Sequence, residues 1–225
     1  MDGALFWALA TLAAVFVGMG KGGLPVIGML SVPVLSLVMH PVAAAGLLLP
    51  VYVVSDMFGL YAYRRAFNAR VLAIMLPGMT LGVVLGYFAA TLVSEALVTV
   101  LIGLIGVIFA LNLLFRVKAG AAAKPANVAP GLFWGAVTGF TSFVSHAGGP
   151  AAAVYLLSKN MSKTEYQATT VLVFWVTNIL KGGLYVGLGL LSRDTLALDL
   201  MLLPFAFCGV WLGLQAHRKI PEKAF

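Results

Sequence analysis

The chain has 225 residues, of which 62% are hydrophobic and only 9% are charged. A soluble domain carries roughly 25% charged and 45–50% apolar residues, so this chain has too few polar side chains to cover a water-facing surface. The composition therefore excludes a soluble enzyme, a nucleic-acid-binding module and a disordered protein. We interpret the net charge of +7 as loop charge that orients helices in a membrane.

Long apolar runs follow one another along the chain, separated by short clusters of proline, glycine or charged residues. The runs are continuous and rich in Leu, Val and Ala, whereas the strands of a membrane β-barrel would alternate in polarity at every second residue. We therefore predict an all-α, polytopic helical membrane protein. The predicted segments are a helical hairpin over 4–39, spans over 42–63, 71–91 and 96–115, a second hairpin over 129–158, and spans over 165–191 and 195–216.

Internal repetition suggests that the chain holds two copies of one unit. A shift of 126 residues places Gly22-Gly23 on Gly148-Gly149, and a shift of 122 residues places Ser55-Asp56 on Thr177-Asn178. Matches at a near-constant spacing are typical of a duplicated unit. The predicted division is a first repeat over 1–116, a cytoplasmic linker over 117–128 and a second repeat over 129–225.

Loop charges indicate that the two copies have opposite orientations. The loop over 64–70 is strongly basic, while its counterpart over 192–194 is almost neutral. The turn over 39–41 has no Lys or Arg, while its counterpart over 159–163 has two lysines. Since Lys and Arg gather on the cytoplasmic side, this exchange predicts inverted repeats, which are typical of transporters with a substrate site near the bilayer midplane.

Each repeat is expected to begin with a pair of short helices that dip into the membrane and return. The run over 148–158 has 11 residues and would reach roughly 16 Å, about half of a hydrocarbon core about 30 Å thick. The second repeat ends one span short, because nothing after Phe225 matches the run over 96–115. Either the chain is truncated at this point or its architecture departs from a clean duplication.

Two breaks within the hairpins share one pattern, in which a Gly pair is followed within two positions by proline. The first is Gly22-Gly23-Leu24-Pro25 and the second is Gly148-Gly149-Pro150. Proline suits the first turn of a helix, so each break is expected to start a half-helix with free N–H groups and the positive end of its dipole at the break. Two such ends near mid-membrane predict an anion site. The alternative is that the glycines only allow close helix packing.

Basic side chains accompany both breaks. Lys21 has no other charged residue within seventeen positions, and a charge at depth in a membrane usually has a partner or a task. The alternative is that Lys21 reaches out to the interface. His146 holds the matching place and is either a proton carrier, a donor to an anion, or a neutral core residue. The predicted substrate-binding residues are Lys21, Gly22, Gly23, Ser145, His146, Gly148, Gly149, Asn178 and Lys181.

An acid lies deep in the predicted span 42–63. Asp56 is about 21 Å into this span, which makes it a candidate for pairing with Lys21 or Lys181, or for carrying a coupling proton. A purely structural ion pair is the alternative. Ser55 and Thr177 offer hydroxyl groups either to anion oxygens or to their own helix backbone. We assign Asp56, Ser55 and Thr177 to coupling or helix pairing.

The glycine-rich breaks and the stretch Thr177-Asn178-Ile179-Leu180-Lys181 together resemble the sulfite exporter TauE/SafE family, also called the toluene sulfonate uptake permease family. The resemblance covers essentially the whole chain. It implies a multi-pass transporter of the bacterial inner membrane that moves sulfur-containing anions such as sulfite and organosulfonates, mostly outward.

We therefore expect a secondary transporter for a small oxyanion that works by alternating access. Its expected partners are the anion and the lipid bilayer, with no nucleic acid, no cofactor, no metal and no enzymatic activity. One alternative is a non-transporting membrane scaffold. A weaker one is an intramembrane hydrolase using Ser145 and His146, whose side chains point to different faces of a helix. The sequence leaves open whether homo-oligomers form and whether a proton or another ion couples transport.

Overall fold

The computed structural model of the chain describes residues 3–89, the single positions 100, 104, 107, 108, 111 and 114, and residues 125–159 and 161–220. Regular structure within this part is helical throughout, which confirms the all-α prediction. The predicted span over 96–115 and the predicted linker over 117–128 fall largely outside the described residues.

The helices follow the apolar runs closely. They are α1 (Ala4–Gly22), α2 (Pro25–Gly28), α3 (Ser31–Leu35), α4 (Pro41–Tyr63), α5 (Ala69–Ala89), α6 (Val128–Ser145), α7 (Gly148–Leu156), α8 (Lys163–Gly187) and α9 (Arg193–Lys219), with a 3₁₀ turn over Leu157–Lys159. Within the described part, α1, α4, α5, α8 and the Thr195–Lys219 portion of α9 are long and apolar enough to cross a membrane. The prediction of a polytopic helical membrane protein is confirmed.

The two hairpins differ from the expected pairs of short helices. The first arm of the 4–39 hairpin is α1, whose 19 residues extend about 28 Å. Its return arm is divided into α2 and α3, since Pro25 begins the first of these and the chain bends before Ser31. In the second hairpin, the 18-residue α6 is followed by α7 with 9 residues. Only the return arms are therefore clearly short.

Small residues bring α1 and α9 into backbone contact. Gly18 and Gly22 lie one turn apart on α1, and a Cβ atom at either would collide with backbone atoms of Ala206 or Val210. Without a hydrophobic driving force in lipid, such close approach is a main source of helix association. The Gly18–Gly22 pair therefore joins α1 to α9 over more than one turn.

The same kind of contact joins α5 to α6. A Cβ atom at Gly78 would collide with the carbonyl group of Leu132, and one at Gly82 would collide with that of Ala136. From the α6 side, Gly139 lies equally close to the backbone of Met79. Within the part of the chain that the structure describes, two helix pairs are thus held by interlocking glycines.

The long helices form three pairs, and each pair joins a helix from the first half of the chain to a helix from the second half. α1 packs against α9, α6 packs against α5, and α4 packs against α8. Helices α1, α4 and α5 precede the linker, whereas α6, α8 and α9 follow it. The first helix of each set therefore packs on the last long helix of the other set, with α4 and α8 between the two pairs.

We predict that Gly82→Val destabilises the protein, because the added side chain must separate α5 from α6. Overpacking of this kind costs about 1–3 kcal/mol, which corresponds to a fall in melting temperature of roughly 2–12 °C. The measurement is thermal unfolding of the purified protein in detergent. The matched control is Gly183→Val, because a Cβ atom at this glycine of α8 has no described neighbour within 4 Å. Equal melting temperatures for the two variants would contradict the packing argument.

Candidate functional site

The two hairpin breaks meet at a cavity of about 60 Å³. Its walls come from α1 and α2 on one side, from the α6–α7 break on another, and from α4 and α8. Lys21 and Pro25 face it from the first break, and His146 and Gly149 face it from the second. The other polar residues that line the cavity include Tyr52, Ser142, Gln167, Thr170 and Asn178.

The second break presents the start of a helix to this cavity. α6 ends at Ser145, and His146 takes the left-handed conformation (φ 53°), which turns the chain through Ala147 into α7. No side chain caps the N-terminus of α7, and Gly149 in its first turn lines the cavity, so the positive end of the helix dipole lies at the cavity. Gly148 allows α7 to pass close to Ser142.

A buried ion pair connects α1 to α4. Lys21 Nζ lies 2.7 Å from Asp56 Oδ1, and Asp56 is 0% exposed. The other carboxylate oxygen, Oδ2, accepts a hydrogen bond of 2.8 Å from Asn178 Nδ2 on α8. The ammonium group also lies over the rings of Tyr52 and Phe174, 5.1 and 5.4 Å from their centroids. The sequence suggested Lys21 or Lys181 as the partner of Asp56, and in the structure the contact is made by Lys21.

A second buried lysine has only neutral acceptors. Lys181 Nζ donates to the carbonyl oxygen of Ser142 at 2.9 Å and to its hydroxyl at 3.2 Å, and it lies 2.5 Å from Nδ1 of His146. No described carboxylate is within 4.0 Å of this ammonium group. Lys181 is 0% exposed and stands behind Ser142 and His146 rather than at the cavity wall.

The hydrogen bonds of His146 assign its tautomer. Nε2 is 2.8 Å from the carbonyl oxygen of Ala45, which can only accept, so the ring proton belongs on Nε2. Nδ1 is then the lone-pair acceptor for Lys181. The imidazole is therefore neutral and links α4 to α8 across the second break.

Comparison with known proteins identifies the family of the chain. The sequence profile described as "Sulfite exporter TauE/SafE" matches residues 4–225. The chain belongs to the sulfite exporter TauE/SafE family. No curated protein and no solved structure matches the chain. The family resemblance predicted from the sequence is confirmed, and membership places this TauE/SafE protein among membrane transporters.

Two of the predicted binding glycines lie away from the cavity of the TauE/SafE protein. The carbonyl oxygen of Gly22 accepts a hydrogen bond of 2.6 Å from the Tyr63 hydroxyl, while its α-carbon packs on α9. Gly23 has φ 141°, and a Cβ atom there would meet the ring of His217. In the structure these glycines make the packing contacts that the sequence offered as the alternative, and their assignment to substrate binding stays a prediction.

The remaining predicted residues have mixed placements. The Thr177 hydroxyl donates to its own helix backbone at Val173 O (2.8 Å), and the buried Ser55 hydroxyl has no hydrogen-bond partner in the described part of the chain. The side chain of Ser145 lies outside the described residues. The Thr177 hydroxyl therefore bonds its own helix backbone, as in the second alternative from the sequence. Ser55 is next to Asp56 in the chain, and its hydroxyl makes no hydrogen bond within the described residues.

The sequence pointed to Asn178 and Lys181 on α8 but missed Gln167 and Thr170 on the same face of this helix. Gln167 donates from Nε2 to the carbonyl oxygens of Gly20 and Lys21, at 2.9 and 3.2 Å, and thus holds the end of α1. Its Oε1 has no partner among the described residues. The signal was a helical spacing, because Gln167, Thr170, Asn178 and Lys181 fall on one face at about 100° per residue.

We predict that Lys21→Met strongly destabilises the protein, because Asp56 becomes an uncompensated buried charge. Breaking one partner of a buried pair costs about 3–5 kcal/mol. The double variant Lys21→Met/Asp56→Asn removes both charges and is expected to recover most of this loss. Thermal unfolding of wild type, both single variants and the double variant measures the coupling between the sites. Additive losses would show that the pair does not stabilise the fold.

Proposed function

We propose that this protein is a secondary transporter that exports a small sulfur-containing or organic anion, of the sulfite or sulfonate type, across the bacterial inner membrane by alternating access. The observation that carries the proposal is the charge around the cavity. Lys21 and Lys181 supply two ammonium groups, whereas Asp56 supplies one carboxylate. A buried positive charge without a counter-ion is costly, so an anion is the ligand that such a site favours.

The donors at the cavity suit an oxyanion. Lys21 has three N–H donors and directs one interaction to Asp56, so the others are available to a ligand. The uncapped start of α7 adds backbone donors at Gly149. A cavity needs about 10–15 Å³ for each water-sized group, so 60 Å³ holds roughly four to six. Sulfite or the headgroup of a sulfonate has this size.

We predict that sulfite raises the melting temperature of the wild-type protein and that Lys181→Met abolishes this effect. A ligand at about 100 times its Kd stabilises by roughly 2.7 kcal/mol, which thermal unfolding detects readily. Lys181→Met removes a positive charge without leaving a carboxylate unpaired. Efflux of labelled sulfite from proteoliposomes should fall in parallel.

The matched control is Lys159→Met, because the ammonium group of Lys159 lies at the end of the 3₁₀ turn after α7, on Pro125 O. This variant removes the same charge away from the cavity and should keep wild-type stabilisation and efflux. Absence of both effects in the wild-type protein would contradict the transporter proposal and favour the scaffold alternative.

The proposal includes the division into inverted repeats over 1–116 and 129–225. Two observations support this division. Each pair of long helices joins one helix from either repeat, and the two hairpin breaks meet at one cavity. Movement of the two interlocked helix pairs against each other would expose the cavity first to one side of the membrane and then to the other. The interlocked pairs α1–α9 and α5–α6 each contain one helix from either repeat.

We also propose that a proton couples transport and that Asp199 carries it. Asp56, which the sequence suggested for this role, is bound by Lys21 and Asn178. Asp199 on α9 is 2% exposed, and neither carboxylate oxygen has a hydrogen-bond partner among the described residues. An isolated carboxylate is costly in a membrane interior. The neighbouring helices α1 and α4 offer no free cation, since Lys21 is their single charged basic residue and binds Asp56.

We predict that Asp199→Asn keeps anion binding but loses accumulation driven by a pH gradient, because an amide imitates the protonated acid and cannot release the proton. The measurement combines sulfite-dependent melting with sulfite flux in proteoliposomes that have an imposed pH gradient. The wild-type protein should accumulate sulfite against its gradient, and the variant should only equilibrate it. Wild-type accumulation by Asp199→Asn would remove Asp199 from the coupling mechanism.

A further inference from the structure

We propose that the cavity selects singly charged anions over doubly charged ones, and that Asp56 sets this selectivity. The inference rests on the proposed anion transport and specifies the charge of the substrate. It concerns a specificity-determining residue that does not touch the ligand, since Asp56 is fully buried and does not line the cavity.

The charges near the cavity add to one positive charge. The ammonium group of Lys21 is neutralised by Asp56 at 2.7 Å. Lys181 Nζ contacts three neutral acceptors, which are the carbonyl oxygen and the hydroxyl group of Ser142 and Nδ1 of His146. Three acceptors match the three N–H donors of an ammonium group, so this geometry favours the charged form of Lys181. The neutral tautomer of His146 adds no charge. Among the described residues around the site, one ammonium group therefore lacks a counter-ion.

Asp56 is held so that an entering anion does not easily displace it. One oxygen contacts Lys21, the other accepts from Asn178 at 2.8 Å, and the three residues come from three different helices. A ligand that pulled Lys21 away would leave the carboxylate buried with only an amide partner, which is strongly unfavourable. Asp56 is therefore a fixed part of the electrostatics of the site.

This balance favours one negative charge on the ligand. A monoanion brings the site and its ligand to neutrality. A dianion leaves one excess negative charge beside Asp56, and a neutral ligand leaves Lys181 without a counter-ion. In a buried site with an effective dielectric constant of about 20, one unit charge at a few ångströms is enough to change affinity by at least tenfold.

Methanesulfonate and sulfate form a matched pair of probes. Both are tetrahedral and have the same number of non-hydrogen atoms, but near neutral pH the first is singly charged and the second is doubly charged. We expect the wild-type protein to bind methanesulfonate with a Kd at least about tenfold lower than that of sulfate. Isothermal titration calorimetry of the purified protein in detergent measures both values.

Three variants change the charge count in a defined way. Asp56→Asn raises it by one and is expected to reverse the preference in favour of sulfate. Lys181→Met lowers it by one and should weaken the binding of methanesulfonate by at least about tenfold. The double variant Asp56→Asn/Lys181→Met restores the original count and should restore the preference for methanesulfonate.

The inference stays falsifiable even where one variant fails to fold. An unchanged ratio of the two Kd values in Asp56→Asn, or retained affinity for methanesulfonate in Lys181→Met, overturns the inference. If Asp56→Asn does not fold, the results for Lys181→Met and for the double variant decide.

The outcomes separate this inference from the transporter proposal. Wild-type protein that binds both probes equally, and also exports sulfite, overturns the charge selectivity while the transport function stands. Wild-type protein that binds neither probe nor sulfite overturns both proposals.

Discussion

The structure depends on the ion pair between Lys21 and Asp56. Removal of either partner would leave the other as an uncompensated buried charge, which is strongly unfavourable. The pair fixes the end of α1 against α4, and the hydrogen bond from Asn178 adds α8 to the same junction. The ion pair thus lies in the last turn of α1, directly before the bend that leads into α2.

Close glycine packing and the polar residues of the cavity belong to different helix pairs. α1 and α9, like α5 and α6, approach until backbones touch, and this leaves no space for a ligand between them. α4 and α8 carry the polar residues and larger side chains, so their junction with the two breaks remains open as the cavity. In lipid, burial of apolar side chains between helices contributes little free energy of association. Close packing in the α1–α9 and α5–α6 pairs supplies stability, so that polar groups can be kept between α4 and α8.

The sequence predicted the long helices well, because membrane thickness imposes about 20 apolar residues on each span. It predicted the residues of the polar centre less completely. The partner of Asp56 depends on which helices are neighbours, and periodicity cannot choose between Lys21 and Lys181. Gly22 and Gly23 were assigned to binding from a local motif, but their contacts with α9 are a property of tertiary packing. The role of Gln167 depends on carbonyl groups exposed by the first break.

The two proposed repeats contribute unequal charges to one site. A shift of 122 residues places Asp56 opposite Asn178 and Gly59 opposite Lys181, so the acid of the first copy corresponds to an amide and the lysine of the second corresponds to no side chain at all. An exact duplication would have produced two equivalent half-sites with the same charge. Here the first copy holds a neutralised pair, while the second holds a cation with neutral acceptors. Because the two copies have diverged, the symmetric arrangement of helices surrounds one site, and this site has one positive charge in excess.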